Sequence, residues 1–316
     1  MGRLGTRGRG LLVAGGAAIA LGAAGWPLGP GWAAAGVVAG PAVALVIAAA
    51  WQAHTRTSAW DVLLTGRADE ALSTLDQEMP SWRIAARIWP SQFRGALASQ
   101  LVDHSFALHK GGRDAEAAAA ADEAVLAFRE LAAARPRMFT AGLADALYRM
   151  SYLLAAVAGL QEALAAAEEA VRLYRGLAAA RPAQYAPLLA LSLTRQAILL
   201  ATLGRPGDAL AAAGEAGGLF QAAVPTDRYA YSGAQALLVE GQILCDLSRP
   251  YEAARPLARG WQLAASRDYQ DLLGYARPAL QAAYQASPAS LTSTWHAETG
   301  TGPPHWLTRP DSAPGT

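Results

Sequence analysis

The hexapeptide "LAAARP" at Leu131 to Pro136 returns unchanged at Leu177 to Pro182, 46 residues later. Other columns keep the same interval. Pro90, Pro136 and Pro182 obey it, as do Phe93, Phe139 and Tyr185, and so do the leucine series Leu97, Leu143, Leu189 and Leu101, Leu147, Leu193. Trp82, Phe128, Tyr174 and Phe220 make an aromatic column of four, and Glu70-Ala71 recurs as Glu116-Ala117, Glu162-Ala163 and Asp208-Ala209. A fifth copy is two residues shorter, with Glu252-Ala253 following after 44. A period of this length restricts the chain to stacked supersecondary units, because a single unit cannot bury its own apolar face.

Within a unit the apolar spacing is helical. Tyr185, Leu189, Leu193, Ala197, Leu200 and Leu203 recur every three or four residues, which places them on one helical face. After the turn "GRPG", a second run keeps Leu210, Ala213, Ala216 and Phe220 on a face of its own. Each unit is therefore predicted to be a helix, a glycine-containing turn and a second helix, which Pro136 or Pro182 stops.

The segments "ALYRMSYLLAAVAGLQEALAAAEEA" and "TRQAILLATLGRPGDALAAAGEA" resemble tetratricopeptide repeats. Ala197, Gly204, Ala209 and Ala216 occupy the small-residue positions of that motif, as do Ser151, Ala163 and Ala170 one unit earlier. The tyrosine of the motif's first helix is replaced by Leu108, Leu154 and Leu200, and the final proline comes late. This long unit is similar to variants in actinobacterial proteins that carry an N-terminal membrane anchor. The resemblance covers roughly residues 57 to 307 and implies an all-α, right-handed α-solenoid of about five helix pairs, placed over residues 54–290. A capping segment and a disordered, proline-rich tail are expected over 291–316.

The resemblance also implies that the first helices line a concave face that holds a protein or peptide partner. Carrying the motif's inner positions across gives Ser99, Val102, Phe106 and His109, then Asp145, Tyr148 and Tyr152. Leu191, Thr194 and Ile198 follow, then Gln235, Leu238 and Gln242. Relatives that clamp a chaperone's terminal carboxylate use inner Lys, Arg and Asn. This chain has no asparagine, Lys110 is its one lysine, and none of the inner positions is arginine, so that clamp is not expected in its usual form.

Ahead of the repeat lies a different physical regime. Charged residues make up only 16% of the chain against roughly 25% in ordinary soluble domains, and none occurs between Gly10 and Ala53. The turn-forming "WPLGPGW" at Trp26 to Trp32 splits this run into 10–26 and 32–52, long enough as helices for roughly 25 Å and 31 Å. A two-helix transmembrane hairpin at 10–53 is therefore expected to precede the solenoid. Arg3, Arg7 and Arg9 in the basic segment 1–9, with Arg56 beyond the second span, predict both ends and the solenoid on the cytoplasmic side of the inner membrane. Two other readings stay open. The glycine-rich first segment also fits a signal peptide ahead of a single anchor, and the whole run fits a soluble segment.

Chemistry is poorly represented. Cys245 is the one cysteine and reads as a small buried hydrophobe. His104 and His109 are five apart, which turns one away from the other on a helix, and no phosphate-cradling glycine loop occurs. Glu123, Glu169 and Glu215 recur with the unit and are expected to form a solvated ridge with Arg129 and Arg175, while Trp295, His296, His305 and Trp306 read as a cap. A net charge of +1 and the lack of a basic recognition helix argue against nucleic acid. The expectation is a membrane-anchored scaffold for protein–protein interaction, with no enzyme activity, cofactor or metal. A sensor that closes its concave face on a peptide or small ligand is the alternative. The aromatic column is assigned to the core, so Phe128→Ala is predicted to cost ~3–5 kcal/mol. An unchanged melting midpoint would count against the repeat register.

Overall fold

The computed structural model describes residues 68–157, 159–222 and 229–308, and among them only helices occur as regular structure. The expected hairpin at 10–53 and the tail after residue 308 lie outside the described residues. No described helix is long and apolar enough to cross a membrane.

Two compact units divide the chain, residues 1–96 and 97–316. In the first, α1 (Ala68–Ile88) is followed by the start of α2 (Pro90–Lys110). Trp82, 4% exposed, lies with its ring centroid 6.4 Å from that of Phe93, and Trp89 lies 6.0 Å from the same ring.

The larger unit holds the remainder of α2, then α3 (Asp114–Ala134), α4 (Pro136–Val157), α5 (Leu160–Ala180), α6 (Pro182–Thr202) and α7 (Pro206–Ala222). It continues with α8 (Ala230–Asp246), α9 (Pro250–Ser266), α10 (Gln270–Ala286), α11 (Pro288–Thr299) and the short α12 (His305–Thr308). Consecutive helices pair, α4 with α5, α6 with α7, and α8 with α9. The pairing continues past residue 290 into α11, which packs on α9 and α10.

Two kinds of junction recur among the described residues. A first helix hands over to its second through a tight turn in which one backbone bond recurs. The amide of Arg113 donates to the carbonyl of Leu108 (2.9 Å), Gly159 to Leu154 (2.8 Å), Arg205 to Leu200 (2.9 Å) and Arg249 to Leu244 (2.8 Å). This six-to-one bond captures a helix-end carbonyl that otherwise has no partner, and it needs a left-handed residue just before the donor. Gly112 and Gly204 supply it at φ 74° and 73°, whereas Ser248 adopts φ 58° with a side chain in the way.

The other junction is a single residue. Arg135 (φ −141°, ψ 73°) closes α3 and opens α4, Arg181 (φ −142°, ψ 75°) does so between α5 and α6, and Ser287 lies between α10 and α11. A residue before proline is pushed out of the α region, and the proline itself tolerates the first helical position, where its missing N–H is not needed. The same proline therefore ends one helix and begins the next. The expectation that it only stops the second helix was half of its role.

Alanine makes the pairs close. Ala163, Ala167 and Ala170 of α5 and Ala209, Ala213 and Ala216 of α7 are all at most 1% exposed, and most of them share a core with Leu193, Ala197 and Leu200 of α6. Glycine goes further at the tightest contacts. A Cβ on Gly142 would meet the Phe128 ring at 2.6 Å, and one on Gly241 would meet Leu257 at 2.5 Å. The aromatic column is buried at Phe128 and Tyr174, and Phe220 packs half-buried against the same core. On the outer side, the expected ridge is a ladder between units. Arg129 pairs with Glu169 at 2.6 Å and Arg175 with Glu215 at 2.7 Å, each pair 40 residues apart. At the C-terminal end, Trp295 and Leu307 are buried in the core of α9 and α10, and Trp261 stacks at an angle between Trp295 and Trp306.

Relieving the left-handed serine is predicted to stabilise the fold. Ser248→Gly should gain about 0.5–1 kcal/mol, and Gly204→Ala should lose about 1 kcal/mol, both read from urea midpoints. Equal midpoints for all three proteins would contradict the role given to this bond.

Candidate functional site

The first helices supply the candidate surface. Within residues 97–316, α6 approaches α8 and α8 approaches α10, while α5 and α7 stay farther apart, as do α7 and α9. The first helices of these units therefore occupy the tighter side of the stack.

Several expected inner residues are accessible there and others are not. Tyr152 is 37% exposed, and Ser99, Phe106, His109, Asp145, Tyr148, Leu191, Ile198, Gln235 and Gln242 are half-buried. Val102, Thr194 and Leu238 are buried, Thr194 donating to the carbonyl of Ala190 and Leu238 filling the space left by Gly260. His109 Nδ1 lies 2.7 Å from Asp114 Oδ1 at the turn, so it is tied to the second helix of its unit. Gln242 donates to Asp246.

Residues that the motif did not point to bring most of the electrostatics. Arg149 sits one helical turn beyond Asp145 and pairs with it at 3.1 Å, while its Nη1 donates to Asp103 Oδ1 at 2.8 Å. Asp103 lies 46 residues earlier, so this ion pair joins equivalent positions of successive units. Burial alone would lower the Arg149 pKa, but Asp145 and Asp103 outweigh it and the net shift is upward. One unit on, Arg195 is only 9% exposed. Its Nη2 donates to the carbonyl of Ser151 at 2.7 Å, its Nε to the Ser151 hydroxyl at 3.2 Å, and its guanidinium lies 4.0 Å from the centre of the Tyr152 ring. Burial lowers its pKa, and the neighbouring tyrosines oppose this only in part. None of the expected inner positions is arginine, yet Arg149 and Arg195 lie beside them on the first helices and link successive first helices through Asp103 and Ser151.

Tyrosines extend the surface. The Tyr148 and Tyr152 rings meet edge to face at 5.4 Å with their hydroxyls 3.1 Å apart, and burial raises the Tyr148 pKa well above its ordinary value. Tyr231 of α8 donates to Asp271 of α10 and packs edge to face on Tyr269 at 5.1 Å. Burial, then the Asp271 contact, pushes its pKa up to about 12. Tyr275 is 44% exposed. The Asp103, Arg149 and Arg195 column stands at the repeat interval in the sequence, whereas Tyr231 and Asp271 fall where the interval shortens and are brought together only by the fold.

Among the described residues no group of three or more His, Cys, Asp or Glu side chains is placed to hold a metal ion. Burial pushes the Cys245 thiol up to about 11, away from a reactive thiolate, and its Sγ points at the Ala279 carbonyl.

This architecture is that of a tetratricopeptide-like helical repeat, and a solved structure shares the fold. BtubC (BKLC) from P. vanneervenii is similar at a TM-score of 0.55 and 17% identity, over 75% of this chain and 94% of that one. Two structures of a Podosopora anserina putative kinesin light chain with nearly identical TPR-like repeats give TM-scores of 0.42 at 17% and 16% identity. They cover 74% and 75% of this chain and 96% of theirs. No protein-family model and no curated protein sequence matches the chain.

The Asp103–Arg149 pair is largely sequestered, with side-chain exposures of 8% and 20%, so removing one partner strands a charge. Asp103→Ala is predicted to cost about 3 kcal/mol, and Asp145→Ala, at the more exposed carboxylate, under about 1 kcal/mol. Urea midpoints in the reverse order would refute the assignment.

Proposed function

We propose that the protein is a membrane-anchored scaffold that holds a protein partner along the concave, first-helix face of its repeat, on the cytoplasmic side of the inner membrane. The observation that carries the binding role is the row of exposed tyrosines, Tyr152, Tyr231 and Tyr275, on helices whose remaining apolar side chains are mostly packed away. Large rings left at a third or more of their surface, among polar neighbours, are the usual anchors of protein interfaces. The fold supports the same role, because stacked helix pairs present an extended surface rather than an enclosed pocket.

The anchored and cytoplasmic parts rest on the uncharged run from Gly10 to Ala53 and on the arginines that flank it. A labelling map tests them. Cys245 and a cysteine introduced by Gly29→Cys are exposed to a membrane-impermeant thiol reagent in intact and in broken cells. The turn cysteine is expected to react from outside, and Cys245 only after cells are broken and the repeat is denatured. Reaction of Cys245 in urea-treated but unbroken cells would move the repeat to the opposite side and remove the cytoplasmic assignment.

A further inference from the structure

We propose that Arg195 is the docking point for a side-chain carboxylate of the partner. This rests on the scaffold reading above and adds the chemistry of what the face receives.

The protein contains its own comparison. Arg149 and Arg195 are equivalent positions of successive units, and both guanidinium groups lie between first helices. Arg149 is neutralised twice, by Asp103 from the unit before and by Asp145 from its own helix. At the positions equivalent to those two acids, Arg195 finds Arg149 and Leu191. The cation is kept and both counter-charges are gone. What remains are neutral partners, the carbonyl and hydroxyl of Ser151 and the face of Tyr152. Its Nη1 makes no hydrogen bond among the described residues and is not an enclosed atom, so a free donor reaches solvent from a side chain otherwise about nine-tenths buried.

A buried charge without an opposite charge is costly, and these neutral contacts offset only part of the cost. Burial lowers the Arg195 pKa, the opposite of the net shift at Arg149. The plane of the guanidinium is already fixed by the Tyr152 ring and Ser151, so an arriving carboxylate meets a pre-set donor, with the exposed edge of Tyr152 beside it. Arg195 is one guanidinium with no second cation hydrogen-bonded beside it, which favours an internal Asp or Glu of an extended segment over a phosphate or a chain terminus that would draw on several cations.

The test uses the full chain in detergent micelles and a displayed library of random 12-residue peptides. Selected binders are made as fluorescein-labelled, C-terminally amidated peptides, and each acidic residue is replaced in turn by its amide. One Asp or Glu per binder is expected to matter, its replacement weakening binding by about 30-fold or more. The same replacement is then measured on Leu191→Asp, which restores the carboxylate one turn before Arg195 as Asp145 stands before Arg149. There the penalty is expected to shrink below about threefold, with helicity retained and the melting midpoint unchanged or higher. Binders indifferent to every acidic residue would overturn the inference and leave the scaffold reading standing. An equal penalty on Leu191→Asp would place the acid elsewhere, and binding that requires a free C-terminus would mean a terminal carboxylate; either result overturns the proposal. A library that yields no binder would remove the peptide-binding reading itself.

Discussion

Four helix pairs among the described residues depend on closing a first helix in a turn of two or three residues without leaving its last carbonyls unpaired. Leu108, Leu154, Leu200 and Leu244 each solve this with a bond to the amide five residues on. Because the bond is local, it constrains the angle between two helices without help from distant contacts. The alanine-rich faces can then meet at backbone distance, and the proline link presents the next helix at a set angle. Each unit consequently touches only its neighbours, and stability is close to a sum of pair terms and interface terms.

The legible part of the fold was whatever recurred. The aromatic column, the leucines of the first helices, the glycines of the turns and the prolines all stood at the repeat interval, and the structure uses each of them where the interval placed it. The recurring glutamates were also visible, but the interval alone does not show that Arg129 reaches forward to Glu169 rather than along its own helix. Some positions copied by spacing are buried, Val102 and Thr194 at the unchanged interval and Leu238 where it shortens. Leu238 follows the motif's inner spacing yet is wholly buried, because Gly260 opens a hole on α9 that a leucine fills. An inner position copied by spacing assumes equal neighbours, and α8 does not have them.

The charged column was missed for a different reason. Motif positions describe where a Cα lies, whereas an arginine acts some six bonds away. Arg149 and Arg195 start on one first helix and end in the contact with the first helix of the unit before. Their paired and unpaired states also show how a repeat acquires a distinct site. The scaffolding of the two units is alike, and the difference is that Arg149 and Leu191 stand where the unit before has Asp103 and Asp145.

The single-residue links at Arg135, Arg181 and Ser287 set the terms on which such a chain can change length. A loop absorbs an extra residue, but an insertion inside these helices rotates everything after it by about 100° around the helix axis and turns buried faces outward. With one residue between helices there is nowhere to take up the error. The array can therefore grow or shrink by whole units more readily than by single residues, and its length is set in steps of one helix pair.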